Sequence, residues 1–176
     1  MKLNEMRYLS VLFLAFPLQV FADEQMCQKN IASTTPTDRF AITIDVVTDS
    51  QTGLMWKKCV EGKSGSSCLG KSKSYSWQQA SDYVKNLNEN TGFSGYKDWR
   101  LPTVVELRSI VEEQCVNPAA NMEVFPNTTP KGFWSSSPFA GFNDYVWYVN
   151  FNQGYDNYVG SNYDGNYVRL VRSVSP

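Results

Sequence analysis

Apolar positions fall into runs of different period along this chain, and each period predicts a different element. From Tyr8 to Phe21 the apolar run is broken only by Ser10, Pro17 and Gln19. It follows Lys2 and Arg7 and ends at Val20-Phe21-Ala22 before Asp23, the order of a secretory signal cleaved after Ala22. The run is shorter than the roughly 20 apolar residues of a membrane span, and Pro17 lies inside it. No membrane insertion is therefore expected once residues 1–22 are removed. The first cysteine is Cys27 rather than the residue after the cleavage point, which argues against a lipid-anchored form. Residues 23–40 carry few apolar groups and read as an irregular arm. Ala41 to Val47 alternates, with Ile42, Ile44 and Val46 on one face, and predicts a first strand, so that arm and strand together occupy 23–48.

The body follows over 49–174. Asp49 to Gly53 is rich in turn formers, and Leu54-Met55-Trp56 predicts a second short strand. Ser76 with Gln79 forms a capping box ahead of Trp77, Ala80, Val84 and Leu87 at helical spacing, with Asn90 and Gly92 as the stop. Thr103 with Glu106 repeats that grammar ahead of Leu107, Ile110 and Val111, and Pro102 can staple to Leu107. The connector Gly95 to Pro102 holds too many large residues for a passive linker. After Cys115 the period changes to two: Phe133-Trp134-Ser135, then Trp147, Val149 and Phe151 in alternation, a turn at Asn152-Gln153-Gly154, a two-residue hairpin signal at Asp164-Gly165, and a closing strand over Val168 to Arg172. Two helices followed by antiparallel strands predict an α+β fold.

Composition narrows what such a body can do. The 176 residues include no histidine, which removes Ser-His-Asp and Cys-His pairs, histidine bases and histidine metal ligands. With 42% apolar and 14% aromatic residues the chain can build one packed domain. The formal charge is −1, and cleavage after Ala22 leaves 14 basic and 16 acidic residues. A general nucleic-acid binder would need a basic face, so nucleic acid is not an expected partner.

All four cysteines lie in the mature part, and an exported chain meets an oxidising compartment. Pairing Cys59 with Cys68 staples a Gly/Ser/Lys-rich loop, worth about 2.7 kcal/mol by chain entropy, and pairing Cys27 with Cys115 pins the arm to the body, worth about 4.6 kcal/mol. Zinc binding is the alternative, but no two of the cysteines have Cys-x-x-Cys spacing.

Candidate chemistry concentrates late in the chain, in Asn143-Asp144-Tyr145, Tyr155-Asp156-Asn157-Tyr158 and Tyr163-Asp164 with Asn166. Aromatic faces beside amides and carboxylates suit sugar rings, whose CH groups stack while their hydroxyls hydrogen-bond. The competing reading is structural: Asn, Asp and Gly form turns, and Tyr fills strand positions. No cofactor is expected; calcium would need Asp144, Asp156 or Asp164 in a ligand set. Lys57, Lys58, Lys63, Lys71 and Lys73 surround the Cys59–Cys68 loop, either as a patch for an anionic surface or as a solvated charge run. Asp98, Trp99, Arg100, Glu106, Arg169 and Arg172 read as structural, the arginines in ion pairs, with Trp56, Trp77, Trp134 and Trp147 in the core.

A set of motifs in order carries a family resemblance: Thr52-Gly53-Leu54-Met55-Trp56, Trp77-x-x-Ala80, Gly95-Tyr96-x-Asp98-Trp99-Arg100-Leu101-Pro102-Thr103 with Glu106-Leu107, Phe133-Trp134-Ser135-Ser136-Ser137, Trp147-x-Val149-x-Phe151 and Val168-Arg169-Leu170-Val171-Arg172. The chain resembles the C-terminal domain of the Legionella collagen-like adhesin, the DUF1566 group. The resemblance implies a variant of the C-type-lectin fold, with two helices beside a small antiparallel sheet and the termini brought together. It also implies glycan binding, in that adhesin with a preference for sulfated polysaccharides. Departures are visible. The chain carries no collagen-like repeat that would supply avidity, its acidic balance suits sulfated ligands poorly, and it lacks the Glu-Pro-Asn and Trp-Asn-Asp triplets of calcium-dependent lectins.

The expectation is an exported, non-catalytic domain that recognises a glycan or another surface component. A docking accessory or subunit of a surface appendage, contacting an envelope protein, is the alternative. A third possibility borrows from a relative of the fold, the formylglycine-generating oxidase, and would need a reactive cysteine pair.

Overall fold

The computed structural model describes residues 24–174; the expected signal segment, 1–22, lies outside the described residues. In chain order the elements are β1 (Met26–Cys27), a 3-10 turn (Thr37–Arg39), β2 (Phe40–Ile42), β3 (Val46–Asp49), β4 (Leu54–Lys57), β5 (Lys63–Ser64), β6 (Leu69–Gly70), α1 (Trp77–Glu89), α2 (Val104–Arg108), β7 (Cys115–Val116), β8 (Gly132–Pro138), β9 (Tyr145–Asn150), β10 (Tyr155–Gly160) and β11 (Val171–Ser173). The strands form a four-stranded sheet ordered β11-β4-β3-β2, a three-stranded sheet ordered β10-β9-β8, and two small ribbons, β1-β7 and β5-β6. All these pairings are antiparallel. The class is α+β. Among the described residues no helix is long and apolar enough to cross a membrane.

Both helices start where local chemistry places them. Ser76 Oγ accepts from the Gln79 amide while Gln79 returns the bond to the Ser76 amide, and Thr103 and Glu106 do the same at α2. Helix α1 buries Ala80 and Val84. Helix α2 is only five residues long, so Ile110 and Val111 reach the core from the segment beyond it rather than from a helical face. The Gly95–Pro102 connector is packed: Trp99 is 1% exposed, and its indole N–H donates to the Phe93 carbonyl at 2.9 Å.

The structure corrects the expected first strand. Instead of one strand over 41–47, the chain reverses between Ile42 and Val46, where the Thr43 hydroxyl donates to the Val46 carbonyl and accepts from its amide. Ile42 and Ile44 are therefore exposed, and the buried positions are Phe40, Val46 and Val47. The short-range alternation was real, but a threonine turn overrode it. Nor does Asp164-Gly165 form a hairpin. Neither residue has the positive φ that a type I′ turn requires, and Asn166 and Tyr167 instead bridge to Tyr75 and Phe133. The closing strand shrinks to β11; just before it, the Leu170 and Val168 carbonyls accept from the Lys57 and Glu61 amides.

The core is two apolar clusters separated by strands buried on both sides. Val47, Trp56, Leu107, Phe125, Phe133, Val149, Phe151 and Val171 belong to one, and Val46, Ala80, Trp99, Trp134, Val146 and Leu170 to the other. Successive residues Phe133 and Trp134 serve opposite clusters, as the two-residue period of a strand dictates. Two disulfides, Cys27–Cys115 and Cys59–Cys68, tie the periphery to this body.

The residues expected to be structural divide unevenly. Arg172 pairs with Asp98 at 2.7 Å and lies over the Tyr96 ring, and Arg100 pairs with Glu106 at 2.7 Å. Asp98 is held below the usual carboxylate range chiefly by the Arg172 hydrogen bonds. Arg169 departs from the expected ion pair: fully buried, it donates to the Lys57 and Lys58 carbonyls and to Thr128 Oγ1, and stacks on Phe125. Its role is to satisfy backbone oxygens where β4 ends and the chain turns irregular. Trp56 and Trp134 are fully buried. Trp77 is half-buried, donating to the Ser135 carbonyl, and Trp147 is half-buried too, among surface rings rather than in the core.

Candidate functional site: the faces of the β8–β10 sheet

Cross-strand partners share a sheet face, so the register assigns every candidate residue on the β9–β10 hairpin to a side. Tyr145, Trp147 and Val149 pair with Gly160, Tyr158 and Asp156 on one face; Val146, Tyr148 and Asn150 pair with Val159, Asn157 and Tyr155 on the other. The candidates thus do not form one continuous surface. Asn143 and Asp144 sit at the exposed turn before β9, and Tyr163 and Asp164 are exposed in the loop after β10. Asn166 is the exception, 3% exposed.

On the first face, Tyr158 stacks on Phe139 at 3.8 Å with the rings 8° apart, Trp147 meets both edge-on, and Tyr145 and Phe142 complete an aromatic group. Farther along this face Asp156 accepts from Arg108, which also donates to the Gly154 carbonyl. Asp156 is thereby committed to anchoring α2 against the hairpin. Among the described residues no group of three or more acidic or cysteine side chains is placed to hold a metal ion, so Asp144, Asp156 and Asp164 do not converge.

The second face carries a cleft of about 390 Å³, lined by Lys131, Gly132, Tyr148, Asn150, Tyr163 and Asn166 among others. Asn150 donates to the Tyr155 hydroxyl at 3.0 Å, so Tyr155 buttresses the wall. The Tyr148 phenol is pushed up, first by burial and then by the Tyr155 and Tyr163 phenols. Two glycines make the geometry possible. A side-chain carbon at Gly132 would collide with Asn166 Oδ1 and come within 2.9 Å of the Tyr148 ring, and one at Gly165 would collide with the Tyr163 phenol. The Asn166 amide nitrogen has no hydrogen-bond partner although the residue is buried. An orphaned buried polar group of this kind costs about 1–3 kcal/mol.

Edge strand β10 is partly closed to further pairing, because Asn157 Oδ1 accepts from the Tyr158 amide at 2.8 Å. The five lysines around the Cys59–Cys68 loop form neither one patch nor one solvated run. Lys57 is buried and bonded to Glu61 at 2.8 Å, and Lys58 is buried with its Nζ on the Thr43 carbonyl. Lys63 donates to the Asn127 carbonyl, leaving Lys71 and Lys73 exposed.

Tyr148 and Asn150 do not stand out in the sequence, because they fall between the apolar alternating positions Trp147, Val149 and Phe151. The same two-residue period puts the intervening residues on the opposite face, and that was the available signal. Gly132 and Lys131 gave none, since their place beside Asn166 depends on the loop path after β10.

No curated protein matches the chain. The family description that does match is the Lcl C-terminal domain, over residues 45–172, a stretch that runs from the start of β3 into β11 and contains both faces of the hairpin sheet. On that match, which covers most of its length, the chain belongs to the Lcl C-terminal domain family.

Proposed function

We propose that this chain is an exported, non-catalytic recognition domain of adhesin type, which contacts a glycan or another surface component through the β9–β10 hairpin and the loop that follows it. The observation that carries the reading is the cleft where Tyr148, Asn150, Tyr163 and Asn166 converge, with an amide lacking an internal partner. Phenols and amides at an open cleft can bind and orient a polyhydroxylated ligand, and membership of the Lcl C-terminal domain family favours a surface role. Export is supported by the apolar start of the sequence and by the two disulfides. A C-type-lectin-like arrangement belongs to the same proposal, supported by two helices beside antiparallel strands and by β11 joining the sheet that begins with β2.

The experiment is binding of the mature, oxidised chain to intact cells and envelope fractions, with Tyr163→Ala as the comparison. Tyr163 is 48% exposed, so the variant should fold. Loss of binding in the variant supports the proposal; equal binding by both proteins removes the cleft from it.

A second reading, docking to an envelope or appendage protein, is favoured by the aromatic group on the opposite face, where Phe142 is 58%, Tyr158 39% and Tyr145 37% exposed. Co-purification lost in Phe142→Ser but kept in Tyr163→Ala would select it. The oxidase alternative requires a reactive thiol pair, whereas the cysteines here are joined as Cys27–Cys115 and Cys59–Cys68. Thiol titration of the native protein tests it, since titratable thiols would reopen that chemistry.

A further inference from the structure

Resting on the reading of this chain as a surface-recognition domain, we infer that the Tyr148–Asn166 cleft takes an uncharged saccharide rather than a sulfated or carboxylated one. The lining contains one cation, Lys131, and no carboxylate; its other polar groups are phenols and carboxamides. Sulfate and carboxylate groups are ordinarily gripped by clustered Arg and Lys, often in bidentate pairs, and nothing in the lining repeats the lysine. No arginine lines the cleft; Arg169 is engaged with backbone oxygens and Arg108 with Gly154 and Asp156.

What the cleft does offer matches a neutral sugar. The Tyr148 phenol can give and accept a hydrogen bond, as a hydroxyl group does, and the Asn150 carboxamide, which donates to the Tyr155 hydroxyl and accepts from the Asn152 amide, keeps one N–H and one lone pair for a ligand. Tyr163 brings an aromatic ring to the rim, held there because Gly165 has no side chain to displace it. Asn166 lies buried in the cleft wall beside Gly132 with its nitrogen unpaired, a polar group with no partner inside the protein. At about 390 Å³ the space falls within the roughly 300–1,000 Å³ of small-ligand clefts. Binding that relies on stacking and neutral hydrogen bonds should be insensitive to salt, whereas a sulfated ligand held by charge would be released by it.

The test is an array of neutral, sialylated and sulfated glycans probed with the mature, oxidised chain at low and high salt, alongside the cell-binding assay. The expected result is retention of neutral glycans with less than about a twofold change between salt conditions. Tyr163→Ala should weaken it about tenfold through loss of the stacking ring. Asn166→Asp, which keeps the shape but removes the donor, should weaken it as well; a matching thermal melt for Tyr163→Ala shows that folding is not the cause. Retention of sulfated or sialylated glycans alone, lost in salt, overturns the inference and leaves the surface-recognition reading intact. So does cell binding that depends on Tyr163 with no glycan retained. Neutral glycans bound equally by wild type and both variants would move the ligand away from this cleft. If neither cells nor glycans are bound, both readings fall together.

Discussion

Replacing Glu112 by Gln tests how the N-terminal arm is held. The Glu112 carboxylate is 3% exposed and accepts from Ser33 Oγ at 2.6 Å, Thr35 Oγ1 at 2.7 Å, the Thr34 and Thr35 amides at 3.0 Å each and the Gln114 amide at 3.1 Å. Burial alone would raise its pKa, but these donors outweigh burial and bring it from 4.5 down to about 2. That displacement is worth about 3 kcal/mol of folding or arm-docking free energy. Because the folded value lies below the unfolded one, the contribution is complete above about pH 4.5 and disappears as the pH falls through about 2. Glu112→Gln preserves shape but turns one acceptor oxygen into a donor that faces other donors. At pH 7 the variant should lose about 3 kcal/mol in urea unfolding, or show the loss as faster hydrogen exchange at Thr34 and Thr35 if the arm opens while the body stays folded. Other carboxylates titrate equally in both proteins, so the difference between wild type and variant isolates Glu112, and it should shrink as the pH is lowered from about 5 towards 2. A difference that stays constant over that range, or exchange at Thr34 and Thr35 that does not change, would refute the reasoning.

Further outcomes follow from burial and geometry. Trp134→Ala removes a fully buried indole and orphans the Tyr75 carbonyl, which accepts from it at 2.8 Å; the cost should be about 3–5 kcal/mol, visible as a melting temperature lower by about 10 °C. Cys59→Ser with Cys68→Ser opens a loop with a sequence separation of 9 and should cost about 2–3 kcal/mol in denaturant while sparing cleft binding. Asp98→Ala should cost less than about 1 kcal/mol despite two hydrogen bonds to Arg172, because the Asp98 side chain is 58% exposed. Gly132→Ala pushes Asn166 and Tyr148 away from position 132 and should lower both the melting temperature and cleft binding; unchanged binding would show that their present placement is not required.

What was legible in the sequence was local. The capping boxes at Ser76 and Thr103 involve residues three apart, so their geometry follows once a helix starts. The disulfide pairing was legible because a loop rich in Gly and Ser asks for a short staple and leaves one partner for Cys27. Asp164-Gly165 misled because a dipeptide signals a hairpin only if the strands beside it pair with each other, and here residues 166–171 are claimed by Tyr75, Phe133 and Lys57. The tyrosines were recognisable as exposed, but their division between two faces follows from the β9–β10 register, a non-local property. The cleft depended on a still longer path, from Gly132 on β8 to the loop that carries Asn166.

The Cys27–Cys115 bond has a mechanical meaning. A pull applied between the two ends of the body enters at Cys27 and crosses the sulfur bridge directly to Cys115, so the chain between them, a sequence separation of 88, is covalently bypassed. Both helices and strands β2 to β6 lie inside that covalent bypass. It withholds about 300 Å of chain from extension, at roughly 3.4 Å per residue. Load instead runs along the backbone from β7 to β11, so the β8–β10 sheet that carries the recognition cleft lies on the loaded path and outside the covalent bypass.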